Sequence, residues 1–122
     1  MELSFLGEEI FTALKPLDYR KLYEIRLRIG FPVKIYYNDK FDYLFLSENN
    51  VKRKVYCTEK MILDAIFCLT EGSLYAYNDE IKDGFIAYGG QRIGISGEFV
   101  YMDGKIKTVL YFVVISIKRT FG

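Results

Sequence analysis

Apolar positions in the first third of the chain recur with two different periods. Leu3, Leu6, Ile10, Leu14 and Leu17 follow helical spacing, with Glu8 and Glu9 off the stripe. This pattern predicts a helix from Glu2 to Lys15, stopped by Pro16. Between Tyr23 and Ile29 the period drops to two: Ile25, Leu27 and Ile29 face one way, Glu24, Arg26 and Arg28 the other. That alternation is the signature of a half-buried strand. Gly30-Phe31-Pro32 breaks it, Val33, Ile35 and Tyr37 predict a second strand, and Asn38-Asp39-Lys40 a turn. Phe41 to Leu46 and Val51 to Tyr56 predict two more short strands, joined by Ser47-Glu48-Asn49-Asn50.

A second helix is expected after Thr58, whose hydroxyl suits an N-cap, with Glu59 in the first turn where the helix dipole favours a carboxylate. Ile62, Ile66 and Leu69 form its buried stripe, Met61, Ala65 and Cys68 flank it, and Gly72 closes it. Ser73 opens a third helix over Leu74 to Lys82, ended by Gly84. The glycine-punctuated stretch that follows predicts a hairpin. Phe85 to Tyr88 is strand-like, Gly89-Gly90 is a two-residue turn, and Ile93, Ile95 and Phe99 alternate with Arg92, Ser96 and Glu98. Met102-Asp103-Gly104-Lys105 is a second tight turn, leading into a last strand over Ile106 to Lys118. The expected fold class is α+β: a mostly antiparallel, twisted sheet with two to three helices packed on one face.

A chain of 122 residues is one domain by length, and residues 1–122 are taken as a single unit. Formal net charge is +1, so no global field draws the chain to nucleic acid or an anionic membrane. Hydrophobic residues make up 51% and aromatic residues 17%, which argues against disorder. The aromatics are Tyr and Phe without Trp, and Tyr suits the rim of a core or an interface. Cys57 and Cys68 lack CxxC spacing and no histidine is present, so neither a zinc site nor a Ser–His or Cys–His nucleophile can be assembled. Two reduced thiols are expected, with Cys68 on a helix and partly buried. The N-terminus lacks the basic start of a signal peptide, and the longest apolar run, Val109 to Ile115, is too short to span a bilayer.

Two stretches resemble one family. Glu24-Ile25-Arg26-Leu27-Arg28-Ile29-Gly30-Phe31-Pro32 is similar to the EIRLRxGxP signature of stage III sporulation protein AA. Ser73-Leu74-Tyr75-Ala76-Tyr77, then Glu80-Ile81, Gly84-Phe85-Ile86 and Gly89-Gly90-Gln91-Arg92-Ile93-Gly94-Ile95-Ser96-Gly97, resembles that family's SxYA…EI..GFIT..GGHRVGxxG segment. Gly104-Lys105-Ile106-Lys107-Thr108 fits the turn after it. The resemblance implies an N-terminal α/β domain that precedes a P-loop ATPase domain, in proteins similar to type II and type IV secretion ATPases. These are thought to drive a channel from mother cell to forespore. It further implies a cytoplasmic location, peripheral to the membrane only through partner proteins.

The chain departs from the family at Gln91, where the usual residue is His. Glutamine still hydrogen-bonds but does not titrate near neutral pH. The C-terminus, Tyr111 to Gly122, replaces the family's continuation into the ATPase domain. A natural truncation, a frameshift or a piece cut for expression would each account for this. No G-x-x-x-x-G-K-[ST] string is present: the run Gly97…Gly104-Lys105-Ile106 has the wrong spacing and lacks the Ser/Thr for Mg²⁺. The polypeptide alone is therefore expected not to hydrolyse ATP. No cofactor is expected, with ATP and Mg²⁺ entering only if the ATPase domain is supplied.

Other chemistry is thin. Asp79, Glu80 and Asp83 are expected at a solvated helix end, and Gly90, Gly94 and Gly97 lack the strand-to-helix setting of a dinucleotide loop. Arg26, Arg28 and Arg92, with Glu24 and Glu98, fall on polar strand faces. One reading is a wetted cross-strand charge pattern, worth ~0.2–1 kcal/mol per pair. The other follows from the resemblance to secretion ATPases, in which arginines of the N-terminal domain approach nucleotide held by the ATPase domain. It directs the three arginines at the ATPase core or a neighbouring protomer, where a planar guanidinium matches phosphate oxygens. Glu98, the hairpin residues Gly89, Gly90 and Gln91, and Phe112 and Val114 of the apolar run complete the expected interface. Val109 to Ile117 is nearly all apolar or β-branched. It predicts self-association, most simply a two-fold dimer that pairs or packs these strands; the alternative is an interior strand covered by the helices. The leading function is a non-catalytic assembly domain that binds a P-loop ATPase domain or protomers of the same family. The alternative is a nucleic-acid or small-ligand binding module using Tyr and Arg, although no strong nucleic-acid signal is present.

Overall fold

The computed structural model describes residues 3–69, 85–88, 91–96, 99–103, 105–109 and 114–119. Helices α1 (Glu8–Leu14) and α2 (Glu59–Leu69) accompany strands β1 (Leu22–Arg28), β2 (Lys34–Tyr37), β3 (Lys40–Tyr43), β4 (Phe45–Glu48) and β5 (Val51–Lys54). The later strands are β6 (Phe85–Tyr88), β7 (Gln91–Ser96), β8 (Phe99–Met102), β9 (Lys105–Val109) and β10 (Val114–Arg119). The fold is α+β. The strands do not join in one sheet. Among the described residues they form a six-stranded antiparallel sheet ordered β3-β2-β1-β10-β7-β6 and two separate hairpins, β4-β5 and β8-β9.

One register row ties the large sheet together. Ile35 lies opposite Ile25, Ile25 opposite Ile117, Ile117 opposite Ile93, and Ile93 opposite Ile86. Ile25, Ile35 and Ile93 are buried, and they share one core with Leu3, Leu6, Ile10 and Leu14 from the N-terminal segment and Ile62, Ala65, Ile66 and Leu69 from α2. Thr58 caps α2 as expected, its Oγ1 accepting from the Met61 N–H at 3.2 Å.

Several expectations need correction. The helix over 2–15 is broken: Ser4–Leu6 is a 3-10 turn, Gly7 adopts φ +92°, and α1 starts afresh when the Gly7 carbonyl accepts from the Phe11 N–H at 3.0 Å. Only glycine enters that backbone region without steric cost. The 41–46 strand splits at Leu44 into β3 and β4. The strand from Ile93 through Phe99 divides into β7 and β8, and that over 106–118 into β9 and β10. The Asp103 turn closes β8 on β9, while β10 fills the slot between β1 and β7. The Val114–Arg119 part of the apolar run is therefore an interior strand, which removes it as a free edge for a second copy. Cys68 is exposed rather than partly buried. The helix expected over 74–82 and its flanking glycines lie outside the described residues.

The split at Leu44 has a physical cause. Val33, Leu44 and Val55 are joined by a closed ring of backbone hydrogen bonds: Val33 N–H to the Val55 carbonyl at 2.7 Å, Val55 N–H to the Leu44 carbonyl at 3.0 Å, and Leu44 N–H to the Val33 carbonyl at 2.9 Å. All three side chains are buried. The ring satisfies polar groups where the chain leaves one sheet for the next, where unpaired amides would be costly. Positive φ at Asn38, Asp39, Asn49 and Asn50 makes tight two-residue turns for the hairpins on either side. We expect Leu44→Ala to destabilise the fold by about 2–5 kcal/mol in urea titration. Lys52→Ala, on an exposed position of β5, should stay within about 0.5 kcal/mol.

Candidate functional site

Alternation in β1 sends Ile25 and Leu27 inward and leaves Arg26 and Arg28 exposed, and a register shift between Leu22 and Glu24 turns Leu22 inward as well. β2 and β3 extend the same outer face. Arg26 pairs with Lys34, Lys34 with Tyr43, and Tyr36 with Phe41. Residues directly opposite on antiparallel strands share a face, so two arginines, a lysine and several aromatic rings collect there.

These side chains line a groove of about 240 Å³, formed by Arg26, Arg28, Phe31, Pro32, Lys34 and Tyr43. Its cations are held by rings. The Arg28 guanidinium lies 4.2 Å from the Phe31 ring centroid, Arg26 lies 4.9 Å from that of Phe41, and the Lys54 ammonium lies 4.3 Å from that of Tyr43. Such contacts contribute ~0.5–1 kcal/mol each at exposed sites. Arg26 is oriented further by Glu24, whose Oε1 accepts from its Nε at 2.9 Å. Phe41 packs edge-on against Tyr36 with centroids 4.8 Å apart. The wall carrying Phe31 and Pro32 is fastened from behind: Gly30 N–H donates to the Cys57 carbonyl and Cys57 N–H to the Phe31 carbonyl, each at 2.9 Å, and Pro32 bridges Tyr56. Gly30, at φ +84°, makes the turn into that wall.

The structure separates the expected interface residues. Arg26 and Arg28 share the groove. Arg92 is exposed on the same face of the sheet but lies in the row Glu24–Lys118–Arg92, across β10. Two strand spacings put it roughly 10 Å from β1. Gln91 faces inward: it is buried, and its amide nitrogen lies 3.5 Å from the Tyr88 carbonyl oxygen, as a turn-closing role requires. Val114 opens β10 opposite Arg28 and Ser96. Gly89, Gly90, Glu98 and Phe112 lie outside the described residues. Sequence reasoning missed Phe31, Lys34, Phe41 and Tyr43. A usable signal existed, because a two-residue turn at Asn38-Asp39 sets Lys34 opposite Tyr43.

A second groove, of about 420 Å³, runs between α1 and the β4-β5 hairpin. Arg53 spans it, donating to Glu9 at 3.0 Å and to Glu48 at 3.3 Å. Those carboxylates, Glu48 first, raise the Arg53 pKa, and with Glu8 also in the lining the groove carries a surplus of negative charge. No cluster of potential metal ligands occurs among the described residues. No helix among them is long and apolar enough to cross a membrane.

The profile of the family Sporulation stage III, protein AA matches residues 6–121. The chain belongs to that family. No match was found among curated proteins or among solved structures. The matched span includes both stretches that supply the three arginines, residues 24–32 and 89–97. This member of the stage III AA family presents Arg26, Arg28 and Arg92 on one sheet face.

Cys57, behind the groove wall, is buried, and burial pushes its thiol from 9.0 up to about 12. A thiol so far from ionisation is a poor nucleophile. In the native protein a disulfide reagent should label one thiol, Cys68, with Cys57 reacting only on unfolding. The folded pKa lies above the unfolded one, so the unfolded state loses its proton first. The Cys57 contribution should be constant below pH 9 and should fall as pH rises from about 9 towards about 12. The alkaline loss should be smaller in Cys57→Ala, measured by urea titration across that range.

Proposed function

We propose that this chain acts as a non-catalytic docking domain of a stage III AA-type secretion ATPase in endospore formation. Its outer sheet face, through Arg26, Arg28 and Arg92, meets the P-loop ATPase domain or a neighbouring protomer. The observation that carries this reading is the register that sets all three family arginines on one exposed face. A guanidinium is always charged and offers a planar fork of donors, so it suits phosphate or carboxylate groups on a partner. ATP and Mg²⁺ belong, on this reading, to the partner domain. The domain would sit in the cytoplasm and reach the membrane through its partners.

A second reading is nucleic-acid or small-ligand binding. It draws on the exposed rings of Phe31, Phe41 and Tyr43, which stand beside Arg28, Arg26 and Lys54 and could stack on bases. The formal charge of +1 weighs against it.

The test supplies the family's ATPase domain, fused or in trans, and measures turnover. Arg26→Ala, Arg28→Ala and Arg92→Ala should each reduce it, on the order of tenfold for a lost charged hydrogen bond. Full activity in all three variants would refute the docking reading. The chain without that domain should show no turnover above a catalytically dead control.

A further inference from the structure

We propose that the groove between β1 and the β2-β3 hairpin takes an acidic peptide segment. An apolar or aromatic side chain would seat on Phe31, Pro32 and Tyr43, and flanking carboxylates would be held by Arg26, Arg28 and Lys34. The inference rests on the docking reading and names the chemistry of the partner segment.

Charge complementarity gives the sign of the occupant. Among the described residues, three cations line the groove and no carboxylate does. Glu24 holds Arg26 from its own strand, without lining the groove. Lys54, 4.3 Å from the Tyr43 ring, adds positive charge nearby. The stacking of Arg28 on Phe31 and of Arg26 on Phe41 restricts both long side chains before a partner arrives, which lowers the entropy lost on binding.

Size selects among anions. At about 240 Å³ the groove falls below the roughly 300–1,000 Å³ of small-molecule sites. It accommodates one or two side chains rather than a whole nucleotide. The apolar floor favours a peptide over a bare phosphate, because inorganic anions gain nothing from Phe31 and Pro32. Simple strand addition is impeded as well. β3 is an edge strand, yet its Tyr43 N–H already donates to the Asp42 carboxylate at 2.8 Å. Recognition therefore falls to side chains in the groove.

The test is fluorescence anisotropy on the 122-residue chain with a labelled short peptide carrying glutamates on both sides of one phenylalanine. Its glutamine counterpart and a short oligouridylate are compared. The glutamate peptide should bind, and the glutamine peptide on the order of tenfold more weakly. Arg28→Ala and Lys34→Gln, both at exposed positions, should weaken the glutamate peptide similarly, with both variants still unfolding cooperatively and Arg28→Ala melting only a few degrees lower. Equal binding of the two peptides, binding of neither, or preference for the oligouridylate would overturn the inference. The docking reading can fail separately. If the ATPase domain responds to the three arginines while the peptide does not bind, only the groove chemistry is wrong. If the peptide binds and the ATPase domain ignores the arginines, only the docking reading falls, and the groove serves another acidic partner.

Discussion

The row of isoleucines across the large sheet, from Ile35 through Ile25, Ile117 and Ile93 to Ile86, sets the parity of every strand it crosses. Side chains alternate faces with a period of two, so slipping one strand by one residue would bring its charged set into the core. With Ile25, Ile35 and Ile93 buried, Arg26, Arg28, Lys34 and Arg92 have only the outer face available. The cost of burying unpaired guanidinium groups forbids the opposite register as firmly as the isoleucines favour this one. The display of arginines is thus a by-product of core formation, and any function they perform inherits its geometry from the core.

A second constraint turns a flat face into a groove. A sheet alone offers a plane. The closed ring of hydrogen bonds among Val33, Leu44 and Val55 forces the chain off the sheet edge into the β4-β5 hairpin and back. The returning segment grips Gly30, Phe31 and Pro32 through Cys57 and Tyr56. Phe31 and Pro32 therefore stand as a wall beside β1 rather than trailing into a loose loop. The Arg28–Phe31 stack depends on this wall, since an exposed phenylalanine on a mobile loop would not hold a guanidinium at a fixed height.

The sequence made these constraints legible unevenly. β1, β2, the Asn38-Asp39 turn, the capped α2 and the β6-β7 hairpin follow from local signals: strict alternation, positive-φ residues, a threonine cap. Each is a short-range effect that neighbouring residues decide. The breaks were harder. Gly7 interrupts an otherwise continuous apolar stripe, and a single glycine in a helical pattern is often tolerated. Leu44 sits in the middle of a run of strand formers, and its switch from β3 to β4 is dictated by partners at Val33 and Val55, far away in sequence. The 106–118 run has the same difficulty, because only the vacancy between β1 and β7 decides where β10 begins. The arginines of the candidate site were legible from alternation and the family motifs. Their aromatic supports were not, because stacking depends on cross-strand register and on the returning wall.

The groups on this face also limit what it can respond to. Arginine and lysine keep their charge across the physiological range, and position 91 is a glutamine turned into the interior. The nearby thiol of Cys57 is held protonated by burial. Recognition by such a surface is governed by ionic strength and by the charge pattern of the partner, through screening over about 10 Å at 0.1 M salt.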